Sequence, residues 1–287
     1  MSSLNPSSVP NKYVIDIEVA AETARLIDQD RLFTKAMGGL FPENPDLSKV
    51  DRIIDIACGP GGWSLEAAFH YPDFEFVGVD INPTMIDYAT AQATVRQLQN
   101  MTFQVVDILK SPLPFPDESF DIVNARFIVG FMDQASWPQL LVECKRILRP
   151  GGLIRLTECE VGMFSSPALQ KVVDYLYQAL AAQGRSFSTN GQSIGIAHML
   201  GKLLQNAGFD KIAKRPFLLE ASYGDELYYS SAKSNEMTFA LLKPYLVKSG
   251  FVEEHVFDEL YDRMVEEMSR DDFTSISFGL TVWGTKH

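Results

Sequence analysis

The sequence predicts an α/β protein built on a doubly wound, mostly parallel sheet of seven strands, the last of them antiparallel. Three observations predict it. Between Ile53 and Thr157, short apolar segments of strand length alternate with segments of helical periodicity, the pattern of successive βαβ units with right-handed crossovers. The first strand runs into the glycine turn Gly59-Pro60-Gly61-Gly62, and the second and third end on aspartates, Asp80 and Asp107. Beyond Glu158 the rhythm changes, and the chain returns to the sheet in an alternating strand, Thr274–Gly284.

The chain has 287 residues, 46% of them apolar and 22% charged, enough for one core with a built-on cap. Its formal charge is −12, from 25 basic and 37 acidic side chains. Polyanions are bound by clusters of Lys and Arg, and no such run occurs, so nucleic acid is excluded as a partner. Cys58, Cys144 and Cys159 are widely spaced, with no CxxC pair and no histidine at zinc spacing, and read as reduced thiols. His70, His198, His255 and His287 are scattered, so no metal is implied. No segment reaches the roughly 20 apolar residues needed to cross a bilayer. The opening MSSLNPSSVPNK has no apolar stretch of signal-peptide length. A cytoplasmic protein without a membrane partner is expected, its oligomeric state left open.

Residues 1–12 are polar and turn-rich and are expected to be disordered. A helical pattern follows from Ile15 to Met37, closed by Gly38-Gly39. The first strand is expected at Ile53–Ala57, and the helix after the glycine turn at Trp63–His70. The second strand is Glu75–Val79, and Asn82 with Pro83 supplies an N-cap and first residue for a helix to about Leu98. Thr102–Val106 and Phe120–Ala125 are the third and fourth strands. Leu140, Leu141, Cys144, Ile147 and Leu148 form one apolar helix face, ended by Pro150-Gly151-Gly152, and Leu153–Thr157 is the fifth strand. Pro167–Gln183 and Ile194–Ala207 read as helices, Lys211–Glu220 as the sixth strand, and 225–270 as a helical insertion before the last. The expected organisation is a tail (1–12), an N-terminal helical cap (13–48), a core (49–224 and 271–287) and a helical lid (225–270).

In open parallel sheets a ligand binds beyond the carboxyl ends of the strands, where the strand order reverses. The glycine turn, Asp80 and Asp107 all fall there and together suit a ligand containing adenosine. Asp55, just inside the turn, and Pro60, which has no N–H, both disfavour a pyrophosphate, which wants amide donors and no carboxylate nearby. A cationic ligand suits this crevice better.

The run IIDIACGPGGW resembles the first motif of class I S-adenosylmethionine-dependent methyltransferases. FVGVDIN, VVDIL and PFPDESFDIVNARF resemble the second, third and fourth, and ILRPGGLIRLTE the closing helix and strand. The resemblance covers about residues 50–160 and is of the small-molecule type. It implies S-adenosyl-L-methionine as cofactor, S-adenosyl-L-homocysteine as product, and in-line methyl transfer to a small organic acceptor, with O, N, S or C as the receiving atom.

The resemblance further places the methionine moiety against Asp55 and the turn Ala57, Cys58, Gly59 and Gly61, and the ribose on Asp80. Ile81 would pack on the adenine, Asp107 and Ile108 border it, and Asn124 and Ala125 offer backbone to the ammonium. Ala57 stands where the motif usually has its first glycine. Tyr13 and Arg25 of the N-terminal helix are candidates for folding over the cofactor.

For the acceptor, Arg126, Glu158 and His198 are candidate catalytic residues, and Phe127, Glu160 and Tyr223 candidate pocket residues. Arg126 binds an acceptor carboxylate or pairs with a neighbouring acid. Glu158 or Glu160 takes a proton, binds a cationic amine or forms a structural pair, and His198 acts as base or packs. Trp63, Phe131, Trp137 and Trp283 are further aromatics for an apolar pocket or the core. Two other readings stay open: a cofactor-binding protein without methylating activity, suggested by Ala57, and a nicotinamide-dependent oxidoreductase, which Asp55 and Pro60 disfavour.

Overall fold

A computed structural model describes residues 20–287. Its seven strands are β1 (Arg52–Ile56), β2 (Glu75–Asp80), β3 (Met101–Val105), β4 (Phe120–Arg126), β5 (Leu148–Phe164), β6 (Asp210–Glu220) and β7 (Ser275–Thr285). They form one sheet in the order β3-β2-β1-β4-β5-β7-β6. Strand β1 pairs in parallel with β2 and β4, while β7 runs antiparallel to both β5 and β6. The predicted doubly wound sheet with its last strand antiparallel is therefore the observed one. The order reverses between β1 and β4, which puts the ligand-binding crevice over their carboxyl ends.

The sheet is apolar on both faces because helices cover both. Along β1, Ile54 and Ile56 enter one core and Ile53 the opposite one. The α-helices in chain order are α1 (Ala20–Met37), α2 (Gly62–His70), α3 (Pro83–Val95), α4 (Ser136–Ile147), α5 (Pro167–Ala182), α6 (Leu200–Asn206), α7 (Tyr228–Lys248) and α8 (Glu254–Met268). Asn82 caps α3 as its sequence position implies, its side-chain oxygen accepting from the N–H groups of Thr84 and Met85. Leu32, Phe33 and Met37 of α1 pack on Phe217 and Leu219 of β6, and α1 also packs along α7. Among the described residues no helix is long and apolar enough to cross a membrane.

Two elements differ from the sequence expectation. Strand β5 does not stop at Thr157 but continues to Phe164, paired with β7 down to Phe164 opposite Ser275. Buried acids at Glu158 and Glu160 break the apolar signature of a central strand, and main-chain donors compensate them. The helix expected at Ile194–Ala207 begins only at Leu200. Gly195 has φ +73, and the N–H groups of Gly195 and Ala197 donate to the Glu160 carboxylate, each at 3.0 Å, so this stretch is held outside a helix.

Candidate active site

A cavity of about 460 Å³ opens over the carboxyl ends of β1, β2 and β4. Its floor is the turn after β1, where Ala57, Cys58, Gly59, Pro60 and Gly62 line it. The turn is closed on itself. The N–H of Cys58 donates to the Val79 carbonyl, that of Gly61 to the Cys58 carbonyl, and that of Gly59 to Asp80 Oδ2 at 3.0 Å. Pro60 has no N–H. From Cys58 to Gly61 no main-chain donor is left for a phosphate.

Ala57 adopts φ +55, the left-handed region that glycine favours, so the turn takes the shape a glycine would allow. The methyl group costs about 1 kcal/mol there. Ala57→Gly is expected to raise stability by about 1 kcal/mol, read as a higher urea midpoint at unchanged slope.

Asp80, at the end of β2, lines the cavity and accepts from the N–H groups of Gly59 and Asn82, the latter at 2.9 Å. Burial pushes its carboxyl up, against these two donors. Ile81 and Ile108 line the same side. Asp107 joins them, its carboxylate accepting from the N–H of Leu109 and lying 3.4 Å from Lys110 Nζ.

Under the floor lies a buried polar chain. Asp55, also on the cavity wall, accepts from Ser64 Oγ at 2.5 Å and from Asn124 Nδ2 at 2.8 Å. Burial raises its carboxyl to about 6, opposed by those two hydrogen bonds and by Arg155. Arg155 donates to Asn124 Oδ1 at 2.8 Å and pairs with Glu43; both side chains of that pair are fully buried. The guanidinium also lies over the Phe41 and Trp63 rings. Asn124 is thus a strut beneath the site. Neither it nor Ala125 lines the cavity, and Gly61 is turned away from it against Phe103 and Ala89.

Helix α1 supplies one wall through Arg25, Leu26, Gln29 and Asp30, and Thr238 and Leu242 of α7 continue it. Arg25 is held by both carboxylate oxygens of Glu22, at 2.6 and 2.8 Å, and by Gln29 and Thr238. Arg126 resolves as the partner of an acid: it pairs with Asp30 and donates to Thr34 Oγ1 at 3.1 Å. Phe127 (φ +57), Phe131 and Trp63 line the cavity, whereas Trp137 and Trp283 do not. Tyr13 lies outside the described residues.

Glu158 lines the cavity from within β5. Its Oε1 accepts from the N–H groups of Ile128 and Val129, at 2.8 and 3.2 Å, while its buried Oε2 has no hydrogen-bond partner. Burial pushes the carboxyl up to about 8, opposed by those donors and reinforced by Glu160. The folded protein therefore holds this proton more tightly than the unfolded chain, whose carboxyl titrates near 4.5. The stabilisation is whole below that value and is lost as pH rises through 8. Asp55, raised to about 6, adds the same trend at lower pH. Between about pH 6 and 8, Glu158 should lower stability by up to about 1.4 kcal/mol per pH unit, and Glu158→Gln should flatten that slope in urea titrations.

Among the acceptor-side candidates, three fall away from the cavity. Glu160 anchors the 194–197 segment, and His198 is exposed in the turn before α6. Tyr223 is about half exposed and stacks at a tilt on Tyr228. Sequence reasoning had missed Asp30, Thr238 and the apolar wall of Leu176, Leu180 and Ile194, whose membership depends on tertiary packing and leaves no local motif.

Residues 53–152 match the family model of a methyltransferase domain. A demethylmenaquinone methyltransferase of Deinococcus radiodurans is 40% identical over 107 residues, 37% of this chain and 42% of that protein. The methyltransferase pytC of Aspergillus terreus is 28% identical over 189 residues, 66% of this chain and 52% of that one. The matched parts are thus about half or less of these relatives' lengths. The geranyl diphosphate C-methyltransferase of Streptomyces coelicolor, crystallised with Mg2+, geranyl diphosphate and S-adenosyl-L-homocysteine, shares the fold at a TM-score of 0.52 and 13% identity, covering 97% of this chain and 89% of that one. Over residues 53–152 the chain is thus similar to methyltransferase domains.

Proposed function

We propose that the protein transfers the methyl group of S-adenosylmethionine to a small organic acceptor. The observation that carries this is the closed turn: with Gly59 bonded to Asp80, Gly61 to Cys58 and Pro60 without a donor, the stretch from Cys58 to Gly61 has no amide for a pyrophosphate, and Gly62 beyond it faces the Asp30 carboxylate. The carboxylates of Asp55, Asp80 and Asp107 around it suit a ligand that carries positive charge. The same facts weigh against a nicotinamide dinucleotide.

When bound, the cofactor supplies a methyl group already activated on a cationic sulfur. In this reading Asp80 accepts the ribose hydroxyls, since each carboxylate oxygen has a lone pair beyond those used by Gly59 and Asn82. Ile81 and Ile108 flank the adenine, Asp107 takes its exocyclic amine, and Ala57, Cys58 and Gly59 border the methionine portion. The apolar wall excludes water and holds the acceptor in line, which is most of what such a transfer needs. A cap (13–48) and a lid (225–270) over the core (49–224 and 271–287) belong to the proposal, as does a cytoplasmic setting.

The test is calorimetric titration of the protein with S-adenosylhomocysteine, S-adenosylmethionine and NADH. Binding of the first two and not the third is expected. NADH binding alone would replace this reading with the oxidoreductase. Cofactor binding without turnover across O, N, S and C acceptors would favour the non-methylating role.

A further inference from the structure

We infer that Glu158 selects the acceptor: the site takes a neutral, largely apolar molecule bearing a hydroxyl, bound at Glu158, and turns away carboxylates and phosphates. This rests on the methyl-transfer reading and names the class of molecule that shares the cavity.

The first support is the wall. Beyond the glycine turn the cavity is lined by Val129, Phe131, Leu176, Leu180, Ile194 and Leu242, which contact an apolar body well and a charged one poorly. The second is the state of its cations. Among the described lining residues these are Arg25 and Arg126, and each is already bound by a carboxylate, Glu22 and Asp30 respectively. An anionic acceptor needs an arginine fork, a lysine or open main-chain amides. Both arginines are taken, the amides from Cys58 to Gly61 are used up, and Gly62, which opens α2, lies beside the Asp30 carboxylate, which repels an anion.

The third is Glu158 itself. Its side chain is 1% exposed, one oxygen is occupied by two main-chain donors, and the other has no partner. A buried polar atom left unpaired is costly, so this oxygen is a place where a ligand gains by supplying the missing bond. A hydroxyl can both donate and accept. It donates to Oε2 when the carboxyl is ionised and accepts from it when the carboxyl is protonated. A carboxylate or phosphate can only accept: the ionised form repels it, and below about pH 8, where the carboxyl is protonated and can donate, the apolar wall and the occupied arginines are what disfavour it.

The test is a matched pair of probes with one apolar body, 2-naphthalenemethanol and 2-naphthoate. Each is titrated into wild type and Glu158→Gln saturated with S-adenosylhomocysteine, at about pH 9.5, well above the value of about 8 to which burial raises the carboxyl. The amide's carbonyl oxygen can still accept from Ile128 and Val129. Wild type should bind the alcohol at least about tenfold more tightly than the naphthoate, and the variant should bring the two within about threefold. An unchanged ratio in the variant, tighter naphthoate binding by wild type, or binding of neither probe would overturn the inference. So would a loss of about tenfold or more in S-adenosylhomocysteine affinity on Glu158→Gln, which would assign the residue to the cofactor. A wild type that bound no S-adenosylhomocysteine would sink the methyl-transfer reading itself, and that failure is visible before either probe is added.

Discussion

Asp80→Ala is expected to weaken S-adenosylhomocysteine binding by at least about a hundredfold, close to 2.7 kcal/mol. Two effects add. Hydrogen bonds to a charged carboxylate contribute about 1.5–3 kcal/mol each, and the ribose would lose its acceptor. The same carboxylate ties the N–H of Gly59 to that of Asn82, so its removal also frees the turn that forms the floor. Asp80→Asn keeps one acceptor oxygen and should fall between wild type and alanine. Calorimetry on variants whose urea midpoints stay near wild type separates binding from folding. If Asp80→Ala bound within about threefold of wild type, the ribose assignment would be wrong.

The second large effect concerns folding. Glu43→Gln should destabilise the protein by about 3–5 kcal/mol, because it strands the Arg155 charge in a fully buried position. Asn124 and the rings of Phe41 and Trp63 remain beside the guanidinium without charge, and the nearby Asp55 carboxylate acts on it only across Asn124. Replacing Glu43 and Arg155 together by apolar residues of similar volume should recover much of the loss, since the pair's desolvation then disappears as well. Urea unfolding of the single and double variants measures both. A single-variant loss below about 1 kcal/mol would mean that water reaches the guanidinium.

The floor of the site was legible in the sequence because its placement is local. Strand periodicity puts Asp80 and Asp107 at strand ends, and Gly59-Pro60-Gly61 can only be a turn, so three points of one crevice follow from residues 53–108. The acceptor side was legible only in part. Phe127 and Glu158 follow from their place at the sheet edge, but Glu160, two residues from Glu158 on the same strand, holds a loop instead. Nothing in the spacing separates those two acids. What separates them is which main-chain N–H groups the fold brings near each one. His198 was expected within a helix over Ile194–Ala207, and Gly195 at φ +73 leaves it in the turn before α6. Asn124 was assigned through its backbone, and the spacing gave no sign that its side chain joins Asp55 to Arg155. Asp30 and Thr238 carry no motif at all; they reach the cavity because α1 and α7 pack together.

That packing has a consequence for how the protein is made. The hydrogen bond from Arg25 to Thr238 spans 213 residues of chain. During synthesis α1 leaves the ribosome long before its partner exists, and at about 5–20 residues per second the interval is on the order of ten seconds or more. For most of it Leu32, Phe33 and Met37 lack β6 as well as α7, so this helix stays an apolar surface in search of cover. The glycine turn needs only strands already translated, whereas the wall supplied by α7 closes last. A nascent chain halted before Thr238 would therefore carry the glycine turn without the part of the cavity wall that Thr238 and Leu242 of α7 supply.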